Sequence, residues 1–329
     1  MDRDKPQFSI IILCWNSDQT ILKCLDALSG QTIQDFEILL VDNGSTKPIS
    51  TEMIEHYPDL RIRFFNLEKN LGFAGGNNFA AEKVSADYIV LLNADAFPRA
   101  DWIETIQQGI MKYPDSFFAS KQIIADHPDR LDGTGDVYHM SGWAWRRSYN
   151  TLVSDLEDRE GEVFSACGAS AVFPTRAFKK VNGFDDDYFS YMEDIDLGFR
   201  LRLMGYRCMY LPSAVVFHVG SGSTSRRSDL AVYCSQRNVV WTYVKDMPGI
   251  WLWVLAPLHL IANLLMIALA ISRKQGAVTM RAKRDALRDF ASILKKRRQV
   301  QSTRVVSAWK VIKFIDWNPI SPIIKLIHR

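Results

Sequence analysis

The sequence predicts an α/β fold with a doubly wound, mostly parallel sheet, and two observations carry this prediction. Short apolar runs alternate with helical patterns at the spacing of βαβ units. Each apolar run stops at a polar or turn-forming residue, as a fully buried parallel strand does. With 47% hydrophobic and 23% charged residues among 329, the composition excludes a disordered chain and a small disulfide scaffold. A mean hydropathy of −0.08 excludes a polytopic membrane protein.

The elements follow in chain order. The predicted strands of the first half are residues 8–15, 36–41, 61–66 and 87–92. The first strand is followed by a helix that Asn16 or Ser17 can cap and that Gly30 ends. Residues 70–78 form a Gly- and Asn-rich stretch before the next helix. Residues 126–165 are polar and are interpreted as a long excursion or lid.

Polar side chains recur directly after three of these strands, at Asn16, Asp42, Asn93 and Asp95. The carboxyl ends of the strands line the ligand crevice of an open α/β sheet, so these side chains are expected to converge. There Asp95 is a natural oxygen ligand for Mg²⁺ or Mn²⁺. Asp42 could accept a hydrogen bond from a nucleobase or a ribose hydroxyl. Taken singly, each of these residues would be an ordinary turn or cap residue.

Two further groups carry candidate chemistry. Glu193, Asp194 and Asp196 open a predicted helix, where they either complement the helix dipole or include a general base. His218 follows an apolar run and precedes the Gly- and Ser-rich residues 220–223. It is therefore either a metal ligand or a hydrogen-bonded loop residue.

Six motifs occur in one order along the chain: VDNGS (41–45), NLGFAGGNN (70–78), LLNAD (91–95), CGASAVF (167–173), a segment from GFD to GYR (183–207) and VFHVGSGS (216–223). This ordered set resembles the family 2 nucleotide-sugar glycosyltransferases over about residues 8–240. The resemblance is strongest to the bacterial branch that includes dTDP-rhamnosyltransferases of cell-surface polysaccharides. It implies the GT-A fold and a reaction that inverts the anomeric configuration of the sugar.

The resemblance also implies which residues bind the nucleotide. They would be Asn16, Asp42, Asn43, Gly72 and Asn93, with Asp42 holding the uracil or thymine ring.

A second set of roles concerns the metal and the base. Asp95 would be the metal ligand of a D-x-D motif whose first position here is Asn93, and His218 would be the late metal-site histidine. The implied cofactor is a divalent metal, Mg²⁺ or Mn²⁺. Asp194, the second acid of the Glu193–Asp194 pair, would be the base that deprotonates the acceptor hydroxyl. Arg200 and the pair Arg226–Arg227 are candidates for offsetting the charge on the leaving diphosphate.

We predict a catalytic domain over residues 1–245, with a nucleotide-sugar half at about 1–125 and an acceptor half at about 126–245. Residues 246–329 are predicted to associate with a membrane. Lys and Arg number 15 from residue 273 onward against 3 Asp and Glu, so this tail carries +12 while the rest of the chain carries −9.

The membrane prediction depends on two segments. Residues 250–271 are 22 nearly apolar residues, long enough to span a bilayer. A single crossing would export the basic tail, so an interfacial or re-entrant helix broken near Pro257 is favoured, with a buried core helix as the alternative. Residues 280–298 are predicted to form one basic amphipathic helix, with Met280 and Leu294 on its apolar face, suited to an anionic lipid surface.

The favoured function is transfer of one sugar, with dTDP-L-rhamnose as the preferred donor, to a lipid-linked saccharide or polysaccharide acceptor of the bacterial cell surface. The alternatives are a UDP-hexose donor, a processive synthase, and a non-catalytic membrane-associated nucleotide-sugar-binding protein. No nucleic-acid partner is expected. Scattered cysteines without a C-x-x-C pair, and a charged start, predict a cytoplasmic protein attached peripherally or monotopically to the inner membrane. The sequence does not predict an oligomeric state.

Overall fold

The computed structural model describes residues 5–17, 19–220 and 228–327. The strands are β1 Phe8–Cys14, β2 Phe36–Asp42, β3 Ile62–Asn66, β4 Tyr88–Asn93, β5 Ala96–Pro98, β6 Ser116–Ile124, β7 His127–Gly133, β8 Asp136–Tyr138, β9 Ala144–Arg146, β10 Gly161–Val163, β11 Ser170–Pro174 and β12 Arg207–His218. The α-helices are α1 Ile21–Ser29, α2 Thr51–Glu55, α3 Gly72–Ala81, α4 Trp102–Lys112, α5 Thr175–Lys180, α6 Glu193–Leu203, α7 Asp229–Asp246, α8 Trp251–Val254, α9 Ala256–Ser272, α10 Gly276–Arg288, α11 Phe290–Ser302, α12 Ala308–Ile312 and α13 Ser321–Ile327.

The strands form a central sheet in the order β10-β12-β6-β11-β4-β1-β2-β3, with β5 beside β12 and β7 beside β6. Strands β3, β2, β1 and β4 run parallel. Strand β11 is antiparallel to both of its neighbours, β4 and β6. The predicted α/β class with a mostly parallel central sheet is therefore confirmed, and antiparallel strands are inserted into it and added at its edge.

Both faces of the parallel strands are buried because side chains alternate along a strand. Ile10 and Ile12 of β1 belong to one hydrophobic cluster, which α1 and α4 cover. Ile11, between them, belongs to the other cluster, which α3, α5 and α6 cover. This two-sided burial explains why the strands are apolar throughout, and it leaves their carboxyl ends as the polar edge.

The prediction of an excursion or lid over 126–165 is wrong in part, because some of this segment belongs to the core. Strand β7 pairs with β6 and β10 pairs with β12, so both extend the central sheet. Leu131 and Tyr138 are fully buried. Strands β8 and β9 form a separate two-stranded sheet. The polar composition of these short strands concealed them in the sequence.

A buried cluster of charges holds α6 against α7. Asp196, in the first turn of α6, lies 2.6 Å from Arg200 and 2.5 Å from Lys245 of α7. Burial alone would raise the pKa of Asp196, but these two cations hold it below its usual range. An isolated buried charge is strongly destabilising, so each member of the cluster depends on the others. Helices α6 and α7 are therefore expected to fold as one unit.

Helix α9 begins after a one-residue break from α8 and has Pro257 in its first turn, so the interruption predicted near Pro257 is confirmed. The helix has no charged residue, and its outward stripe is apolar. Leu260, Ile261, Leu264 and Leu265 are each more than half exposed on this stripe. Within the described residues, no helix combines the length and apolarity that a membrane crossing needs.

The single basic helix predicted over 280–298 is wrong, because the chain forms α10 and α11, which part at Asp289. Lys283 turns inward and donates a hydrogen bond to a backbone oxygen of α7 at 2.6 Å. Burial lowers the pKa of Lys283 to about 7. Lys296 pairs with Asp187 at 2.6 Å. Part of the basic charge of the tail therefore serves contacts inside the protein.

One hydrophobic cluster extends across the predicted boundary between 245 and 246. It contains Phe199 and Trp241 on one side and Leu252, Ala286 and Ile312 on the other. Helices α10 and α11 both pack on α7. The division into 1–245 and 246–329 stays a prediction, and the two parts share this core.

Candidate active site

A cavity of about 1780 Å³ opens at the carboxyl edge of β1 and β4, beside the N-terminal turn of α6. The residues that line it include Asn16, Asn43, Gly72, Asn93, Asp95, Glu193, Asp194 and His218. The structure therefore brings together the predicted site residues, with the exception of Asp42. The roles assigned to them stay predictions.

Asp42 is fully buried and does not line the cavity. Its Oδ1 accepts the N–H of Ser45 at 2.9 Å, and its Oδ2 accepts the N–H of Ile49 at 2.8 Å. Asn16, whose φ is +53°, accepts two hydrogen bonds at 2.9 Å from the same loop. Both side chains shape this loop. A contact between Asp42 and a nucleobase would require residues 45–49 to move, and it stays a prediction.

Asn43 holds the Gly- and Asn-rich turn that lines one part of the cavity. Its Nδ2 donates to Asn70 Oδ1 at 3.0 Å and to the Gly72 oxygen at 3.1 Å, while its Oδ1 accepts the N–H of Leu71 at 2.9 Å. Gly72 has a φ of +74°, and a Cβ at this position would lie 2.3 Å from the Phe189 oxygen. A residue without a side chain is required there, so the Gly72 backbone forms part of the cavity wall.

Four side chains form a continuous chain of contacts through His218. Its Nε2 lies 3.2 Å from Asp95 Oδ1, and its Nδ1 lies 2.7 Å from Asp132 Oδ2. Asp132 pairs in turn with Arg146. Burial disfavours the charged imidazole, but the hydrogen bonds to Asp132 and Asp95 raise the pKa of His218 above its usual value. When Nδ1–H is donated to Asp132, Nε2 is the nitrogen available beside Asp95.

The Asp95 carboxylate and the His218 imidazole lie close enough together to contact one divalent cation. Neighbouring ligands of an octahedral Mg²⁺ lie about 3 Å apart, close to the separation of these two side chains. A metal-binding histidine commonly donates its other N–H to a carboxylate, as His218 can to Asp132. Within residues 5–17, 19–220 and 228–327 there is no group of three or more His, Cys, Asp or Glu that could hold a metal. Phosphate oxygens and water would complete the coordination, as is usual for Mg²⁺.

Glu193 and Asp194 open α6 and face the same cavity. Asp194 accepts the N–H of Gly168 at 3.2 Å and that of Ile195 at 2.8 Å. Burial raises the pKa of Asp194 above its usual value, although these N–H groups and Arg146 oppose the shift. Burial and the adjacent Asp194 charge raise the pKa of Glu193 well above its usual value. Both acids therefore hold a proton more tightly than exposed carboxyl groups do.

The turn before α6 is held in a strained conformation. Phe189, Tyr191 and Met192 have φ angles of 63°, 67° and 70°, which residues with a Cβ rarely adopt. The buried amide of Asn238 on α7 donates to three backbone oxygens of residues 188–191, at 3.0, 3.0 and 2.7 Å. Helix α7 thus fixes the point at which α6 begins, and with it the position of the two acids.

Sequence reasoning missed Asp132, Asp136, Arg146 and Asn238. The first three lie in the polar segment 126–165 that was interpreted as a lid. The concentration of Asp and Arg beside tryptophans in that segment was the one signal that could have identified them. Asn238 lies in a helix and carries no motif.

The arginines predicted to offset the diphosphate charge need a separate account. Arg200 is buried, bonds to Asp196 and to two backbone oxygens, and does not line the cavity, so that prediction is wrong. Arg226 and Arg227 lie outside the described residues.

Comparison with known proteins identifies the family. The family model of glycosyl transferase family 2 matches residues 9–181, more than half of the chain. The chain belongs to glycosyl transferase family 2. It is therefore a glycosyltransferase enzyme. An N-acetylglucosaminyl-diphospho-decaprenol L-rhamnosyltransferase of Mycobacterium tuberculosis is 27% identical over 240 residues, which cover 66% of this chain and 77% of the relative. The O-antigen biosynthesis protein RfbC of Myxococcus xanthus is 25% identical over 69% of this chain and 18% of its own length.

Solved structures show the same fold. S. aureus TarS in complex with UDP-GlcNAc has a TM-score of 0.60 at 15% identity, over 94% of this chain and 89% of the other. A mannosyltransferase from Pyrobaculum calidifontis, solved with GDP-Man and Mn²⁺, has a TM-score of 0.57 at 17% identity, over 94% and 87% of the two chains. The predicted GT-A fold of this family 2 glycosyltransferase is confirmed.

Replacing Gly72 with alanine tests the cavity wall. We expect Gly72→Ala to lower the free energy of unfolding by more than about 1 kcal/mol, because the left-handed backbone disfavours a side chain and the added Cβ clashes with Phe189. Donor binding is expected to weaken with it. The matched control is Gly161→Ala, where a Cβ meets nothing within 4 Å. Urea unfolding and donor titration measure both effects, and equal behaviour of the two variants would contradict this account.

Proposed function

We propose that this family 2 glycosyltransferase transfers one sugar from a nucleotide-sugar donor to a saccharide acceptor by a single inverting displacement, with Asp194 as the general base. One observation carries the proposal. The carboxylate of Asp194 lines the same cavity as the Asp95–His218 pair, and its described hydrogen bonds come from backbone N–H groups. A base and a diphosphate-binding site in one cavity are the two groups that such a displacement needs.

The environment of Asp194 suits a base. Its raised pKa makes the carboxylate a stronger proton acceptor than an exposed aspartate. The acceptor hydroxyl would give its proton to Asp194 as its oxygen attacks C1 of the donor sugar and the bond to the nucleoside diphosphate breaks. Transfer is therefore expected to slow as the pH falls through the pKa of Asp194.

Asp95 and His218 would hold a divalent metal, Mg²⁺ or Mn²⁺, with Asp132 orienting the imidazole. When bound, the metal neutralises charge on the departing diphosphate. Asn93 lies beside this pair, with its Nδ2 3.3 Å from His218 Nε2, and would bind ribose or phosphate through its amide.

The relatives guide the choice of substrates. The mycobacterial relative is named as a rhamnosyltransferase that acts on a lipid diphosphate sugar, and RfbC is named for O-antigen biosynthesis. We therefore propose dTDP-L-rhamnose as the donor and a lipid-linked saccharide or polysaccharide of the cell surface as the acceptor. The structures with UDP-GlcNAc and GDP-Man keep a UDP- or GDP-hexose donor as the alternative.

The apolar stripe of α9 supports attachment to the cytoplasmic side of a membrane. A helix on the surface of a globular domain normally has a polar outer face, but α9 exposes Leu260 and Leu264 and has no charge. Trp253, just before it, is 71% exposed. Such a surface suits the boundary between lipid headgroups and acyl chains. The acceptor lipid would be held in the same membrane.

Asp194→Asn tests the base. We expect kcat to fall by about 10²- to 10⁴-fold, because the amide cannot accept the proton, while the donor Kd stays unchanged. The control is Asp59→Asn on the surface. Steady-state rates and isothermal titration with the donor measure the two quantities. Retained turnover would refute the role of Asp194.

Asp132→Asn tests the orientation of His218. We expect Mn²⁺ binding, followed by electron paramagnetic resonance without substrate, to weaken by about 10- to 100-fold, because the amide no longer fixes the imidazole as the carboxylate does. Asp129→Asn, on the exposed part of the same strand β7, is the matched control. Unchanged Mn²⁺ affinity in Asp132→Asn would contradict the orienting role of Asp132.

The double substitution Ile261→Asp with Leu264→Asp tests the membrane face. We expect it to abolish co-sedimentation with phosphatidylglycerol vesicles, because the two carboxylates would have to enter the lipid interface. Met111→Asp is the control, since Met111 is 71% exposed on α4, away from the stripe. Substitution is a cleaner test than removal of the tail, because the tail shares a core with the rest of the protein. Undiminished binding of the double variant would place the attachment elsewhere.

A further inference from the structure

The β8–β9 hairpin forms a wall of the catalytic cavity and has no role in the reaction proposed above. Asp136 begins the hairpin and lines the cavity, as do Trp143 and Trp145. Both tryptophans are half-buried, so part of each ring stays uncovered. The hairpin is attached to the centre of the protein through Asp136, whose N–H donates to the Ser165 oxygen at 2.9 Å.

Three buried polar atoms on this side of the cavity have no hydrogen-bond partner within the part of the chain that the structure describes. They are Asp136 Oδ2, Trp143 Nε1 and Glu193 Oε2. Asp136 is 5% exposed, and all three residues line the cavity. Buried polar groups are nearly always hydrogen-bonded, so three residues of one cavity that each carry an unpartnered polar atom indicate a ligand that supplies the partners.

The chemistry of the wall selects the class of ligand. The carboxyl groups of Asp136 and Glu193, whether charged or neutral, offer a phosphate no positive charge and therefore disfavour it. Arg146, the neighbouring cation, already pairs with Asp132. Burial and the Asp194 charge raise the pKa of the Asp136 carboxyl well above its usual range. Aromatic faces beside groups that both donate and accept hydrogen bonds suit a neutral ring with several hydroxyls.

We propose that the β8–β9 hairpin is the acceptor-sugar subsite, in which Trp143 and Trp145 cover the face of the acceptor ring and Asp136 binds one of its hydroxyls. This subsite depends on the saccharide acceptor proposed above, and its residues would select that acceptor. A ring held there has a neighbouring hydroxyl beside Asp194, the group that takes its proton. The nucleotide would bind in the same cavity at Asn43 and Gly72.

The test compares acceptor and donor kinetics in two variants, Asp136→Ala and Trp143→Phe. The acceptor probe is N-acetylglucosaminyl diphosphate on a short alkyl chain. The donor is dTDP-L-rhamnose, or whichever UDP- or GDP-sugar the wild-type enzyme hydrolyses. We expect each variant to raise the acceptor KM by about tenfold or more. Asp136→Ala removes the carboxyl that binds a hydroxyl, and Trp143→Phe removes the Nε1–H donor together with part of the aromatic surface. Donor KM and the rate of donor hydrolysis without acceptor are expected to stay within about twofold.

Controls separate this outcome from misfolding and from a wrong acceptor. Asp129→Ala and Trp309→Phe change the same residue types at exposed positions and are expected to behave as wild type. Asp136→Asn keeps a donor and an acceptor group and is expected to recover most of the acceptor affinity. Variants with unchanged acceptor KM, or with raised donor KM instead, would overturn the subsite alone. A wild-type enzyme that hydrolyses the donor but transfers to no saccharide would overturn the proposed acceptor and the subsite together.

Discussion

The arrangement of the site depends on the buried contact between α6 and α7. Asp196 is fully buried and is stabilised there by Arg200 and Lys245, so α6 cannot separate from α7 without exposing or isolating a charge. Asn238 on α7 also holds the strained turn that precedes Asp194. Because α10 and α11 pack on α7, the C-terminal helices support the position of the acid assigned as the base.

The cavity brings together three environments from different parts of the chain. Asn43 and Gly72 shape the part proposed for the nucleotide, and Asp95 with His218 is the pair proposed for the metal. The N-terminal turn of α6 and the β8–β9 hairpin supply acids with raised pKa values. In the proposed reaction, charge would develop on a diphosphate at the first two of these environments, and a neutral hydroxyl would lose its proton at the third. A displacement reaction uses both at once.

The features that the sequence predicted well were local. Continuous apolar runs such as 36–41 identify buried parallel strands. Asn93 and Asp95 were correctly predicted to line the crevice because polar residues at the carboxyl ends of such strands do so. The contact of Asp132 with His218 joins residues 86 positions apart, and no local pattern reports it. Asp42 shows the same limit, because a strand-end position does not reveal whether a side chain faces the cavity or its own loop. The sequence predicted one basic helix over 280–298 that faces lipid. It could not show that some of its lysines pair inside the protein, because partners such as Asp187 lie far back in the chain.

Native-state hydrogen exchange of the whole protein tests the central claim that the C-terminal helices and the catalytic sheet form one unit. The amides of α6, α7 and α11 are predicted to exchange with the same free energy of opening as those of β1 and β4, because separating them would isolate the buried charges. The measurement needs no substrate. Amides of α7 and α11 that exchange on the order of a hundredfold faster than the sheet would show that the helices open independently. That result would contradict a site whose base is positioned by α7.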